Sequence, residues 1–434
     1  MKQTLLKADE FSRRQFVNQA AKTFLGVSAL PLAINQANAA GRLGSDTVPH
    51  NRPIARNIIY LYMSGGMTHI DTFDPKPNHE NGGPVKAIKT KADGVQISEY
   101  LPLLATQMDK GCVIRSLSST KGAHEQGNYF MHTSYAKRAT IVHPCMGAWA
   151  TKFQNRSNNT LPGSVIIGGG SRFAGSGFLS AVHSPLAIGS PTAGLQNSKI
   201  MRGVTEEQFD SRLALASKLG GKFRNKYNLK ASQAYSDMYT DAIKLMSSKD
   251  LEAFDISDEP ESMTELYGKD SFGQGCLLAR RLVENNVRYV EVNYGGWDTH
   301  QNNFVSVPEK AAILDQGLTA LITDLESRGL LDETLIVLAT EFGRTPRINQ
   351  NAGRDHYPKA FSGFMAGGGI KGGQVWGATD EGGANVAENL VKIPDYNATI
   401  AYALGLPLGQ VVYSPSRRPF TIADKGEPLT HLFA

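Results

Sequence analysis

The sequence predicts an α/β fold: a mainly parallel central sheet flanked by helices. Two observations carry this. Several short, almost wholly apolar runs stop at glycines or polar loops, as the buried strands of a parallel sheet do. Between them lie longer segments whose apolar residues recur at helical spacing, and such alternation marks strand–helix units.

Asn57-Ile-Ile-Tyr-Leu-Tyr-Met-Ser64 reads as a central strand, because it lacks polar alternation and ends at Gly65-Gly66. Cys112-Val-Ile-Arg-Ser116 and Ser164-Val-Ile-Ile167 read as two more. Residues 168–200 are rich in Gly, Ser and Pro and read as a long surface excursion. From Ala231 to Ser248, Ala234, Met238, Ala242 and Met246 fall at i, i+4 spacing, one buried helical face. Ser271–Asn285 and Lys310–Arg328 show similar patterns, directly before the strands expected at Val287–Tyr294 and Thr334–Thr340. No internal repeat is visible.

The N-terminus carries a targeting pattern. Ser12-Arg13-Arg14-Gln15-Phe16-Val17 precedes a weakly apolar run to Ile34, and Ala37-Asn38-Ala39 is a small-x-small cleavage site. Residues 1–39 are therefore expected to be a twin-arginine signal peptide, handled by the twin-arginine export machinery. That places the protein in the periplasm or otherwise outside the cytoplasm. The run is interrupted by Gly26, Ser28 and Pro31, and it falls short of the roughly 20 apolar residues that span a bilayer. No later segment is long and apolar enough either, so no membrane span is expected in the mature chain. Residues 40–55 read as a linker or N-terminal arm, and 56–434 as a single domain with an insertion around 168–270.

Charge and cysteine content exclude some function classes. The formal net charge of +5 includes +3 from the leader, where Lys2, Lys7, Arg13, Arg14 and Lys22 face Asp9 and Glu10. The remainder is near neutral, which does not support a nucleic-acid partner. Cys112, Cys145 and Cys276 form no CxxC pair, so a cysteine zinc site is not expected. They are compatible with one disulfide and a free thiol, or with three buried thiols. There is no P-loop and no GxSxG nucleophile elbow.

In open parallel sheets, ligands sit beyond the carboxyl ends of the strands. The polar residues just beyond each strand are therefore the candidate functional residues. The first strand leads to Gly65-Gly66, His69, Asp71 and Asp74; the second to Ser118, Ser119, Thr120 and His124, with His132 further on. Asp298-Thr-His300 and Glu341-Phe-Gly-Arg344 come after the last two, and Arg354-Asp-His356 lies a little beyond. Carboxylates and imidazoles from several strand ends can converge on one divalent metal ion. Arg115, Arg344 and Arg354 are candidates for binding an anion. The same residues also have plain structural readings. Asp298-Thr-His300 makes an Asx-turn, Asp355-His356 a helix cap, and Glu341 a partner for Arg344 or Arg347.

Taken together, these loops resemble the bacterial family called domain of unknown function 1501. The resemblance rests on Leu61-Tyr-Met-Ser-Gly-Gly66, Asp71-Thr-Phe-Asp-Pro-Lys76, Trp297-Asp-Thr-His300, Thr340-Glu-Phe-Gly-Arg-Thr-Pro346 and Gly353-Arg-Asp-His-Tyr-Pro358. More distantly, that family resembles the alkaline phosphatase and sulfatase superfamily, which implies an alkaline phosphatase-like fold and a metal-dependent hydrolase of phosphate, sulfate or related anionic esters. The resemblance implies Asp71, Asp298, His300, Glu341 and His356 as metal ligands, for zinc, calcium or magnesium. It implies His124 as nucleophile, base or further ligand, with Ser118, Ser119 and Thr120 as alternatives, and Arg344 or Arg354 as holder of the anionic group. Asp395–Leu406 resembles the superfamily's closing helix. Two departures stand out. The first strand ends in Ser64-Gly65-Gly66 where the superfamily has an aspartate, and Glu341-Phe342 replaces an Asp-His pair. These departures leave a second expectation open: a non-catalytic exported binding or assembly protein on the same fold.

Overall fold

The structure is a computed structural model and describes residues 52–154, 156–169, 175–227 and 230–434. The leader expected over residues 1–39, and most of the arm after it, lie outside the described residues.

Nine strands form the central sheet. They are β1 (Asn57–Met63), β2 (Gly111–Ser118), β3 (Ser164–Ile167), β4 (Leu186–Ile188), β5 (Tyr289–Tyr294), β6 (Thr334–Ala339), β7 (Phe361–Ala366), β8 (Gln374–Trp376) and β9 (Val391–Lys392). Their order is β8-β2-β7-β6-β1-β5-β3-β4, and β9 pairs with the far part of β2. Every pairing is parallel except those of β7, which runs against both β2 and β6. The mainly parallel sheet read from the sequence is therefore present.

The sheet is covered on both faces, which explains why its strands lack polar alternation. All seven residues of β1 are buried. Ile59, Leu61 and Met63 enter a core shared with α5 (Ser271–Glu284) and α6 (Asn303–Ser327). Ile58, Tyr60 and Tyr62 enter the opposite core with Trp149 of α2 (Met146–Gln154) and Tyr396 of α7 (Ile393–Ala403). Each large side chain buried in this way contributes about 1.5–3 kcal/mol of transfer free energy. Other long helices are α1 (His124–Thr133), α3 (Glu206–Tyr227) and α4 (Lys230–Met246), and two short helices lie at Pro102–Ala105 and Glu261–Tyr267. The expected helix over 231–248 corresponds to α4. The closing helix expected from Asp395 is α7, tied to the sheet where the Tyr396 hydroxyl donates to Leu338 O at 2.8 Å.

Several elements differ from expectation. The 168–200 segment is not all surface excursion, because β4 lies within it and pairs with β3. Strand β7 was not anticipated: Phe-Ser-Gly-Phe-Met-Ala carries a central glycine that weakens the strand pattern. Helix α6 starts at Asn303, well before the expected Lys310, and carries Pro308 within it. Proline removes a helical N–H, which makes the stretch before it look non-helical.

All three cysteines are free and buried. Burial pushes the Cys112 and Cys145 thiols up to about 12 and raises Cys276 as well, so they are poor nucleophiles at neutral pH. Among the described residues, no helix is long and apolar enough to cross a membrane.

His143 links the packing to pH. The Tyr129 hydroxyl accepts the His143 backbone N–H at 2.8 Å and lies 2.6 Å from His143 Nδ1. Burial, aided by Arg138, pushes His143 down to about 4. The unfolded chain takes a proton here near pH 6.5; the folded chain does not until about 4. Stability is thus expected to fall as pH drops through that window, by on the order of 2–3 kcal/mol from this group. Urea unfolding of wild type and His143→Gln at pH 7, 5.5 and 4.5 checks this. Equal pH slopes in the two proteins would show that His143 is not responsible.

Candidate metal centre

The parallel strands β1, β5 and β6 end on the same side of the sheet, and their loops meet there. Close approach requires glycine at the first of these ends. At Gly65 (φ +119°) a Cβ would lie 2.6 Å from Asp298 N. At Gly66 (φ +79°) it would lie 2.8 Å from the Phe342 ring. Side chains at such φ values are also strained.

Arg344 ties the loops together. Its fully buried guanidinium donates to Gly66 O at 2.9 Å, Arg354 O at 3.0 Å, Gly65 O and the Asp298 carboxylate. Burial opposes the ionised form of Asp298, but Arg344, backed by His124 and His356, holds the carboxyl down at about 2.

Imidazoles gather around that carboxylate. His124 Nε2 lies 3.2 Å from Asp298 Oδ2, His300 Nε2 3.1 Å from Oδ1, and His356 Nε2 3.3 Å from Oδ1. His300 Nε2 and His356 Nε2 are 3.0 Å apart. Ligand atoms of His124, Asp298 and His356 all lie within 4.8 Å of one another. Each ring is held from behind through Nδ1. His124 Nδ1 is 2.7 Å from Glu341 Oε1, His300 Nδ1 2.7 Å from Asp355 Oδ1, and His356 Nδ1 2.9 Å from Gly122 O.

Those partners are acceptors, so a neutral ring here carries its proton on Nδ1 and turns its Nε2 lone pair inward. His124 Nε2 is buried with no hydrogen-bond partner, since its approach to Asp298 lacks hydrogen-bond geometry. Inward lone pairs beside a carboxylate repel one another unless a cation sits among them. The hydrogen bond to Glu341 raises the His124 pKa, while burial and then His124 itself lower that of His356. Imidazoles oriented by outer carboxylates or carbonyls are the usual surroundings of a metal ion. The residues present therefore fit a divalent cation.

The other expected site residues are placed as follows. Glu341 is fully buried behind His124, where Oε1 also accepts the Gly65 N–H at 2.9 Å. It is an outer partner and not part of the inward-facing set. Asp71 and Arg354 form a separate buried pair. Arg354 donates from Nε and Nη2 to Asp71 at 2.8 Å each, and Asp71 Oδ2 also accepts from Asn303 at 2.8 Å and Thr68 at 3.0 Å. Arg354 spends its other donors on Asn81 O, Thr345 O and Pro346 O. The expected metal role of Asp71 and anion role of Arg354 thus meet side chains already fully engaged. Arg344 is likewise committed to Asp298 and backbone carbonyls. Arg115 is held by Phe73 O, Gln96 O and Asp74. His69 bonds Gly383 O, and Asp74 faces Lys76 and Thr379. Ser119 Oγ accepts the Lys121 N–H, and among the described residues no hydrogen bond links Ser118, Ser119 or Thr120 to the cluster.

Phe342 packs against both imidazoles, its ring centroid 5.0 Å from His124 and 4.7 Å from His356. Asp355 was missed as a site residue because its proximity to His300 arises only through the 345–355 loop. The sequence signal was its place beside His356.

The family described as "Protein of unknown function (DUF1501)" matches residues 55–433. The chain belongs to this family. A comparison with curated proteins finds no match. Among solved structures, the DUF1501 chain is similar to the lipoteichoic acid synthase LtaP from Listeria monocytogenes, at 11% identity and TM-score 0.36, covering 82% of this chain and 73% of that one. It is also similar to the sulfatase PsFucS1 from Pseudoalteromonas sp., at 14% identity and TM-score 0.36, covering 86% and 76%. A third is a protein in the alkaline phosphatase superfamily from Vibrio parahaemolyticus, at 10% identity and TM-score 0.37, covering 97% and 78%.

If Arg354 serves the fold through Asp71, Arg354→Met strands a buried carboxylate and is expected to cost about 3–5 kcal/mol. Adding Asp71→Asn should recover part of that loss. Denaturant unfolding of the two variants checks this, and equal losses would argue against coupling.

Proposed function

We propose that this DUF1501 chain is an exported hydrolase of anionic esters, of phosphate or sulfate type, working with one divalent metal ion held by His124, Asp298 and His356. The observation that supports this is the set of oriented imidazoles whose Nε2 lone pairs converge on one carboxylate. Two nitrogens and a carboxylate oxygen suit zinc or a similar first-row ion better than calcium or magnesium, which favour all-oxygen shells. A cation there would supply Lewis-acid polarisation of an ester oxygen. Phe342 fills the space beside His124 and His356, which favours one ion over two.

The chain's own residues divide the remaining work. Glu341 orients His124, and Gly122 O orients His356. His300 stands at the edge of the trio, backed by Asp355. It takes a proton from an attacking water at Nε2, while the Asp355 carboxylate steadies the resulting imidazolium through Nδ1. The N-terminus of α1 lies at His124 and has no side-chain cap, so its free N–H groups favour negative charge nearby. His124 is engaged at Nδ1 and aimed at Asp298 through Nε2, which favours the role of ligand over nucleophile.

Export rests on Ser12-Arg13-Arg14 and Ala37-Asn38-Ala39. The twin-arginine machinery would be the partner, and the periplasm or exterior the destination. That route carries folded proteins, which suits a site assembled from distant loops.

Protein purified after native export is expected to hold about one equivalent of divalent metal. Chelation should abolish turnover of 4-nitrophenyl phosphate or sulfate, and zinc should restore it. His124→Ala and His356→Ala should each lose the metal, whereas His300→Ala should keep it and lose most of the turnover. Metal below about a tenth of an equivalent, with no stability change on chelation, would sink this reading. Metal without turnover on either ester would favour the binding-protein alternative.

A further inference from the structure

A cleft of about 450 Å³ opens beside the candidate metal centre, lined by residues 345, 347–351 and 355. Its wall is polar, with Ile348 the one aliphatic side chain. Two of its residues build the loop. Asn349 Oδ1 accepts the N–H groups of Asn351 at 2.9 Å and Gly353 at 3.0 Å, and Nδ2 donates to His300 O at 2.9 Å. The Thr345 hydroxyl donates to Arg347 O at 3.0 Å and accepts the Asp355 N–H at 2.9 Å. The loop is thus internally braced and fastened to the backbone of His300.

Three other lining residues brace the loop through their backbone at most, not through their side chains. Arg347, Gln350 and Asn351 are exposed, and among the described residues their side chains have no hydrogen-bond or ionic partner. The cleft shares a wall with the centre, because Asp355 Oδ1 holds His300 Nδ1. A ligand in the cleft therefore lies one imidazole away from the inward-facing Nε2 atoms.

We infer that this cleft binds a sugar unit carrying a sulfate, phosphate or carboxylate group, with Arg347 as its specificity-determining residue. A free guanidinium offers paired donors that match the oxygens of such anions. The Gln350 and Asn351 amides each present a donor and an acceptor, the pairing that adjacent hydroxyls require. The sparse apolar lining gives an acyl chain or aromatic group little surface to bury. The inference deepens the hydrolase reading by naming the class of substrate, and it rests on that reading for where the ester is cut.

Binding can be read without turnover. Isothermal titration of the metal-loaded protein with trigalacturonic acid, 6-sulfated N-acetylglucosamine and neutral maltotriose tests it. At least one charged saccharide is expected to saturate one site, and maltotriose to bind about tenfold more weakly or not at all. Arg347→Met should weaken the charged ligand about tenfold, the scale of a charge-assisted pair, with metal content and melting temperature unchanged. No saturable binding of either charged saccharide, or equal affinity in wild type and Arg347→Met, would overturn the assignment. Charged-saccharide binding that is lost in Arg347→Met, by metal-loaded protein that turns over no phosphate or sulfate ester, would leave the cleft standing and fell the hydrolase reading alone.

Discussion

The buried guanidinium of Arg344 is the constraint on which the site depends. Parallel strands bring β1, β5 and β6 to one rim, but nothing in the sheet fixes the loops beyond them. Arg344 does so by joining Gly65 O, Gly66 O and Arg354 O to the Asp298 carboxylate. A buried charge is tolerated only when paired and hydrogen-bonded, and the partners here come from separate chain segments. The same contacts that satisfy Arg344 therefore position Asp298. Because Asp298 is held ionised, the surrounding imidazoles face a permanent negative charge. The position of that carboxylate, as much as the imidazoles themselves, supports the cation site proposed above.

Much of the fold was legible because burial on both faces removes polar alternation from a strand. Residues 57–63 and 334–339 display this plainly, and each ends at a loop whose composition changes abruptly. β7 was not legible, since Gly363 and Ser362 dilute its apolar pattern, and β4 lay hidden in a stretch dominated by turn residues. The site was only half legible. Asp298, His300 and His356 stood out as imidazoles and a carboxylate beyond strand ends, and the structure brings them together with His124. The roles of Asp71, Glu341 and Arg354 were not readable. A carboxylate that binds metal and one that binds a buried arginine look alike in sequence. The difference is which partner comes within 3 Å after folding, and for Asp71 and Arg354 those partners are each other.

The pair Gly66 and Phe342 shows how one residue constrains another. A side chain at 66 would collide with the Phe342 ring, so the aromatic at 342 excludes a side chain at 66. That ring then lies against both His124 and His356. It keeps the imidazoles apart from further polar groups and lowers the local dielectric, which strengthens the repulsion among the inward lone pairs. The cation proposed above would relieve that repulsion.

This electrostatic frustration explains why the site's outer partners are so completely specified. Natural sequences agree across levels except where function demands otherwise. Here every Nδ1 has an acceptor, Glu341 bonds in two directions, and Asp71 and Arg354 satisfy each other nearby. Of the inward-facing nitrogens, His124 Nε2 is the one left without a hydrogen-bond partner. The three imidazoles nevertheless keep their Nε2 atoms turned toward one carboxylate. Their retention in an inward-facing set is therefore hard to explain by stability. Free energy given up at His124, Asp298 and His356, and recovered in the braces around them, is what a preorganised cation site requires.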